Sequence, residues 1–167
     1  MRKIVICSVV GILLFISSVQ AQDIKRKIGV GFQYSLPTFG LSVKYGITES
    51  SVVQATIAPF GFGASGANVS INSYGARYIH RFPGSSRTAT VLDPYLFAGG
   101  GLIRIKYSSS DYGDSQNMFS YSAGGGLELI IVNSLGFSAE IGYGRVSFTG
   151  LSVNTIVIGA GVHYYLR

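Results

Sequence analysis

In residues 155–166, TIVIGAGVHYYL, apolar side chains recur at every second position. Ile156, Ile158, Ala160, Val162, Tyr164 and Leu166 share one side, while Thr155, Gly159, Gly161, His163 and Tyr165 share the other. Successive side chains of a strand point to opposite faces of its sheet, so a period of two marks an extended strand with unlike faces. The pattern recurs in Phe39, Leu41, Val43, Tyr45 and Ile47 against Gly40, Ser42, Lys44 and Gly46. It recurs again in Phe119, Tyr121, Ala123, Leu127, Leu129 and Ile131 against Ser120, Ser122, Gly124, Gly126 and Glu128. No stretch keeps a helical spacing, and the chain reads as all-β.

Eight strands are predicted, over 27–35, 39–47, 51–62, 69–82, 94–107, 117–131, 136–148 and 155–166. Most are longer than the five or six residues usual in soluble sheets and match strands tilted across a bilayer. Turn-forming stretches separate them at 36–38, 48–50, 63–68, 83–86, 108–116, 132–134 and 149–154. Pro59, in a segment with two possible phases, predicts a bulge or an early strand end.

Such strands can turn their apolar face inward or outward. Charged residues make up 12% of the chain, about half the roughly 25% of soluble domains. With the apolar face inside, a surface of Gly and Ser with so few charges would be poorly soluble. Turned outward, the apolar face meets lipid and the small polar face lines a narrow lumen, and closure of the sheet removes its unpaired edges.

The N-terminus supports export. Residues 1–21 have a basic start at Arg2 and Lys3, an apolar stretch from Ile4 to Ile16, and small residues at Val19 and Ala21. They are expected to be a cleaved signal peptide, leaving 22–167 as one barrel domain. No later run is apolar enough for a transmembrane helix. The only cysteine, Cys7, falls in the leader, which excludes a disulfide framework or thiolate site from the rest. The formal charge of +6 is scattered apart from Lys25, Arg26 and Lys27, which argues against a nucleic-acid partner.

Two AGGGL runs, at 98–102 and 123–127, are predicted to be strand residues that permit tight curvature. A hairpin about 108–116 would set the two runs opposite each other, with aromatics over the bare backbone. Gly61 to Gly66 matches G-x-G-x-x-G, but the strand-like VSINSYGARY follows where a dinucleotide site needs a helix.

The leader, the alternation, the tyrosine-rich strand ends and the closing IVIGAGVHYYLR resemble the small eight-stranded outer-membrane barrels of Gram-negative bacteria, of the OmpX/OmpA type. The last strand of such families commonly ends on an aromatic, whereas here Leu166 and Arg167 come last. The resemblance implies an eight-stranded antiparallel up-and-down transmembrane β-barrel, monomeric and located in the bacterial outer membrane. It implies lipids, lipopolysaccharide and the insertion machinery as partners. It also places both termini in the periplasm and the connections 36–38, 63–68, 108–116 and 149–154 outside the cell, with 83–93 as a long periplasmic turn. Tyr34, Tyr45, Phe82, Tyr95, Tyr107, Phe119, Phe148 and Tyr164 would form the interfacial girdles.

With that topology Lys44, Arg77, Arg81, Glu128, Glu140 and His163 point into the lumen. Buried ions left unpaired cost several kcal/mol each, so Arg77 and Arg81 are expected to pair with Glu128 and Glu140 and plug the bore. Arg104 and Lys106 are expected to face inward near the outer mouth, with Asp111 and Asp114 as partners. Arg145 shares the lipid-facing parity and is expected either to reach toward lipopolysaccharide phosphates or to sit past a bulge. His80 and His163 are the only histidines, and neither falls at the outer rim where lipid A would be met. Asp111 to Asn117 lacks the spacing of a calcium loop. No catalytic residue, cofactor or metal is therefore assigned. The function expected is a non-enzymatic structural or surface-interaction role through short loops. The alternatives are a narrow porin-like channel, a lipid A-modifying enzyme and a soluble periplasmic ligand-binding barrel.

Overall fold

The alternating strands close on themselves. The computed structural model describes residues 28–35, 38–64, 67–82, 85–87, 90–109, 113–132, 134–148 and 151–166. The expected leader, Cys7 and Asp111 lie outside these residues. The strands are β1 Ile28–Ser35, β2 Thr38–Gly46, β3 Ser51–Ala64, β4 Ala67–Arg81, β5 Ser85–Arg87, β6 Thr90–Ser109, β7 Gly113–Ile131, β8 Leu135–Phe148 and β9 Leu151–Leu166. Every pairing is antiparallel, β4 pairs with β6, and β9 pairs back onto β1. The short β5 pairs with the start of β6, on the side that β4 takes further along. The result is a closed eight-stranded barrel with no helix among the described residues.

The phase of each strand fixes what it presents. Leu127 and Ile158 are 50% and 67% exposed on the outer wall, whereas Glu128 is 1% exposed inside. Outward apolar side chains left largely uncovered by protein, around inward ions, form the arrangement of a barrel that sits in lipid. Two apolar clusters lie within the lumen, Val91 with Ile130 and Tyr165, and Val52 with Ile79, Tyr95 and Phe97. The far end carries the β1–β2, β3–β4, β6–β7 and β8–β9 connections, and the near end carries Ile28 and Leu166.

Several local expectations are corrected. Pro59 causes no bulge: β3 and β4 keep one register from Ser51 opposite His80 to Ala64 opposite Ala67. Instead, the ladder between β2 and β3 stops at Leu41 opposite Ile57, short of Pro59. Gly40 adopts a φ of 135° there, where an added Cβ would run into Ile57 and Ala58. The stretch 83–93 is not all turn, because β5 pairs Ser85 with Leu92 and Arg87 with Thr90.

The glycine runs do not face each other. Gly124 lies opposite Phe97 and Gly126 opposite Tyr95, while Gly99 and Gly101 lie opposite Ser122 and Ser120. Across the closing seam, Gly29 lies opposite Tyr165 and Gly31 opposite His163. Gly124, Gly126, Gly29 and Gly31 thus each sit across from an inward ring. In so narrow a barrel a ring fits the interior only where its neighbour has no side chain.

Candidate functional site: the lumen and its rim

Lumenal charges are brought together from five strands. Glu128 on β7 accepts hydrogen bonds from Lys44 Nζ on β2 at 2.7 Å and from Arg81 Nη2 on β4 at 2.8 Å. Tyr165 on β9 donates to Glu128 Oε1 at 2.6 Å and accepts from Arg81 Nη2 at 2.7 Å. Arg77 on β4 holds Glu140 on β8 with two bonds, of 2.7 and 2.6 Å, and its guanidinium lies 5.1 Å from the centre of the Phe97 ring. Arg77 Nε also donates to Gln54 Oε1 at 2.7 Å, and Tyr95 donates to Glu140 Oε1 at 2.6 Å. Paired Arg–carboxylate contacts of this kind are the strong class of hydrogen bond.

The sequence pattern missed three members of this set. Asp93 is buried on β6 directly opposite Glu128 and makes the described lumenal carboxylates equal in number to the cations. It was hidden in a stretch read as a turn. Tyr95 and Tyr165 hold the two glutamates from inside. Tyr95 was expected in the lipid-facing girdle, but it is buried.

The same error of phase reverses Arg104 and Lys106. Ile103, opposite the buried Ser73, points inward, so Arg104 and Lys106 are exposed on the outer wall and not in the mouth. Both phases of β6 carry apolar residues, Val91, Tyr95, Phe97 and Ile103 against Leu92, Leu96 and Leu102, and pattern alone does not choose between them. Neighbours choose: the rings need Gly124 and Gly126 across from them, and these glycines are inward. Asp114 is exposed and opposite Tyr107, and no ion pair links it to Arg104 or Lys106 among the described residues.

His163 is fully buried. Its Nε2 lies 2.9 Å from Ser42 Oγ and 3.4 Å from Gln54 Nε2. A serine and a histidine at that spacing are two parts of a nucleophilic triad, but Nδ1, which an acid would have to hold, has no partner. His80 lies on the outward phase, edge-on to Phe82 at 5.1 Å. Among the described residues no three His, Cys, Asp or Glu side chains are grouped to hold a metal ion.

Just beyond the ion pairs small residues, among them Gly75, Gly99 and Ser122, line part of the lumen. A void of about 10 Å³ there is bordered by Ser35, Gln54, Thr56, Arg77, Ser120 and Ser122, room for roughly one water.

On the outer wall the apolar belt has a definite upper edge. Along the outward phases, Tyr74 gives way to Asn72, Leu102 to Arg104, Phe119 to Asn117, Tyr143 to Arg145 and Ile156 to Asn154. On β6 the outward run from Leu92 to Leu102 spans about 33 Å along the strand and, at a tilt of about 40°, about 25 Å along the barrel axis. That height matches the apolar band of a membrane barrel.

Comparison with known proteins agrees with this geometry. The family model described as outer membrane protein beta-barrel domain matches residues 7–164. No curated protein matches the chain in sequence. The N-terminal β-barrel domain of Pseudomonas aeruginosa OprF is similar in fold, at 19% identity and a TM-score of 0.57, over 87% of this chain and 100% of that one. Neisserial surface protein A is similar at 17% identity and a TM-score of 0.50, over 83% and 92%. Yersinia pestis Ail, the attachment invasion locus protein, solved with the heparin analogue sucrose octasulfate, is similar at 18% identity and a TM-score of 0.50, over 84% and 97%.

Proposed function

The chain belongs to the outer membrane protein beta-barrel domain family, and from that premise we propose that it is a non-enzymatic, integral protein of the bacterial outer membrane whose lumen is closed. Its far end faces outward from the cell and carries a structural or surface-interaction role. The observation that carries this reading is the ion-pair set inside the barrel. Lys44 and Arg81 pair with Glu128, and Arg77 pairs with Glu140, at successive levels inside the barrel, and the buried Asp93 matches the third cation in charge. Eight strands leave an interior barely wide enough for such side chains. An anion-selective constriction would need cations that stay unpaired and wet.

The same packing speaks against catalysis. Ser42 and His163 are buried with no acid on Nδ1, and the outward-facing surface presents neither. A role at the cell surface is compatible with the fold shared with Neisserial surface protein A and the attachment invasion locus protein. Partners at that surface would meet the β3–β4 and β6–β7 hairpins, which extend furthest from the apolar belt.

Reconstitution into planar bilayers tests the closed lumen. The wild-type barrel is expected to give no resolved single-channel steps, while replacing both Glu128 and Glu140 by Ala opens transient ones. Steady anion-selective conductance of the wild type would reject the closed lumen in favour of a channel. Hydrolysis of labelled lipid A by the purified barrel would reject the non-enzymatic reading.

A further inference from the structure

Three neighbouring strands present an ordered grid on the outer wall. In the pairing register Asn72, Arg104 and Asn117 form one row, Tyr74, Leu102 and Phe119 the next, and Ala76, Gly100 and Tyr121 the third. One step beyond the first row, Lys106 stands between Ser70 and Ser115. From the far end toward the middle of the belt, the wall therefore passes from cationic and amide groups, through bulky apolar ones, to the small Ala76 and Gly100 beside Tyr121. Ala76, Gly100 and Ala55 form the floor of a groove of about 640 Å³, walled by Tyr74, Leu102 and Phe119.

From this juxtaposition we propose that the outer wall of β4, β6 and β7 is a binding site for a phosphorylated, acylated lipid of the outer leaflet. Its phosphate sits on Arg104 and Lys106, and an acyl chain lies in the groove beneath. The proposal deepens the outer-membrane reading and rests on it.

Four observations converge. Arg104 and Lys106 lie on the outward phase, exposed, with no acidic partner on that wall among the described residues. Arg104 is the first outward side chain past a belt of about 25 Å, which is the depth of lipid phosphates. Asn72 and Asn117 flank it in register, and Asn72 Nδ2 already donates to Ser70 Oγ at 3.1 Å on the same wall, so amide groups are at hand to complete the shell of an anion. Finally, among the apolar recesses of the wall, the one lined by Tyr74, Leu102 and Phe119 lies directly below the cations. A free anion has no use for the recess, and a neutral lipid none for the cations. An amphiphile carrying both parts uses the whole grid. Each cation close to an anionic lipid surface adds to affinity, and salt weakens that term.

The test uses the full-length barrel extracted from membranes into a neutral detergent, with retained lipid read by native mass spectrometry. The probes are lipid A, enzymatically dephosphorylated lipid A, and inorganic pyrophosphate. The phosphorylated lipid alone is expected to be retained, and R104Q/K106Q is expected to weaken it about thirtyfold. Ala76→Leu, which fills the groove and leaves both cations in place, is expected to weaken the lipid as well. Heat-modifiable migration shows that each variant is a folded barrel. Equal retention by wild type and R104Q/K106Q, equal retention of the dephosphorylated lipid, or pyrophosphate binding as tight as the lipid would each overturn the site while leaving the outer-membrane reading intact. Recovery of the wild-type protein in the soluble periplasm would overturn both.

Discussion

Asp93 and Glu128 stand directly opposite each other across β6 and β7, both carboxylates buried in the lumen. Like charges facing each other across a ladder are destabilising unless something lies between them. Here Arg81 and Lys44 converge on Glu128, while Asp93 Oδ1 accepts no hydrogen bond. The two acids therefore differ in what their loss does. Glu128→Gln leaves Lys44 and Arg81 with a neutral partner and is expected to cost about 3–5 kcal/mol. Asp93→Asn removes a repulsion along with a distant attraction and is expected to change stability by less than about 1 kcal/mol. Urea unfolding in lipid vesicles measures both, and equal losses would show that Glu128 is not the hub.

Gly29 faces Tyr165 across the closing seam, and a Cβ there would lie 2.8 Å from the ring's Cε1. Tyr165 cannot swing away without releasing Glu128 and Arg81. Gly29→Ala is expected to cost about 1–3 kcal/mol by overpacking, read as an earlier loss of the heat-resistant compact form on gels. No change would mean that the lumen has slack at this level.

Val132 adopts a φ of 51° in the turn between β7 and β8, where its side chain is largely exposed. The left-handed region costs a β-branched residue roughly 1–2 kcal/mol. Val132→Gly is expected to recover about 1 kcal/mol of that, in the same urea assay. A loss of stability would show that the valine's packing outweighs its backbone strain.

Val162 and Ser152 lie on the same strand and both face outward, but Val162 is within the apolar belt and Ser152 beyond its edge. Val162→Arg is expected to cost about 2–4 kcal/mol, against about 0–1 for Ser152→Arg. A similar cost at the two positions would remove the depth assigned to the belt.

How much of this was legible in the sequence differs from strand to strand. β2, β7, β8 and β9 have one apolar and one small or polar phase, so their faces and the inward Lys44, Glu128, Glu140 and His163 follow from alternation alone. β6 is the failure. It carries large apolar residues in both phases because it supplies Tyr95 and Phe97 to the lumen and Leu92, Leu96 and Leu102 to lipid. Only pairing with Gly124 and Gly126 settles its orientation, and the offset between the two glycine runs is a long-range fact of register that composition does not contain. Arg104 and Lys106 were misplaced for that reason, and Asp93 was missed because the start of β6 resembles a turn. The pairings of Arg77 with Glu140 and Arg81 with Glu128 require strand heights that the sequence supplies only to within a residue or two.

The most direct test is of which way the apolar face looks. Beyond Cys7 the chain has no cysteine, so a Cys7→Ser background accepts single nitroxide labels at Ile158, Val162 and Ser138. In lipid vesicles, collision rates with oxygen and with a water-soluble nickel chelate should show Ile158 and Val162 open to oxygen and closed to nickel, and Ser138 open to neither. Labels at Ile158 and Val162 that are immobile and shielded from oxygen, with Ser138 exposed to the nickel chelate, would mean that the apolar side forms an interior and that the barrel is inside out relative to this account.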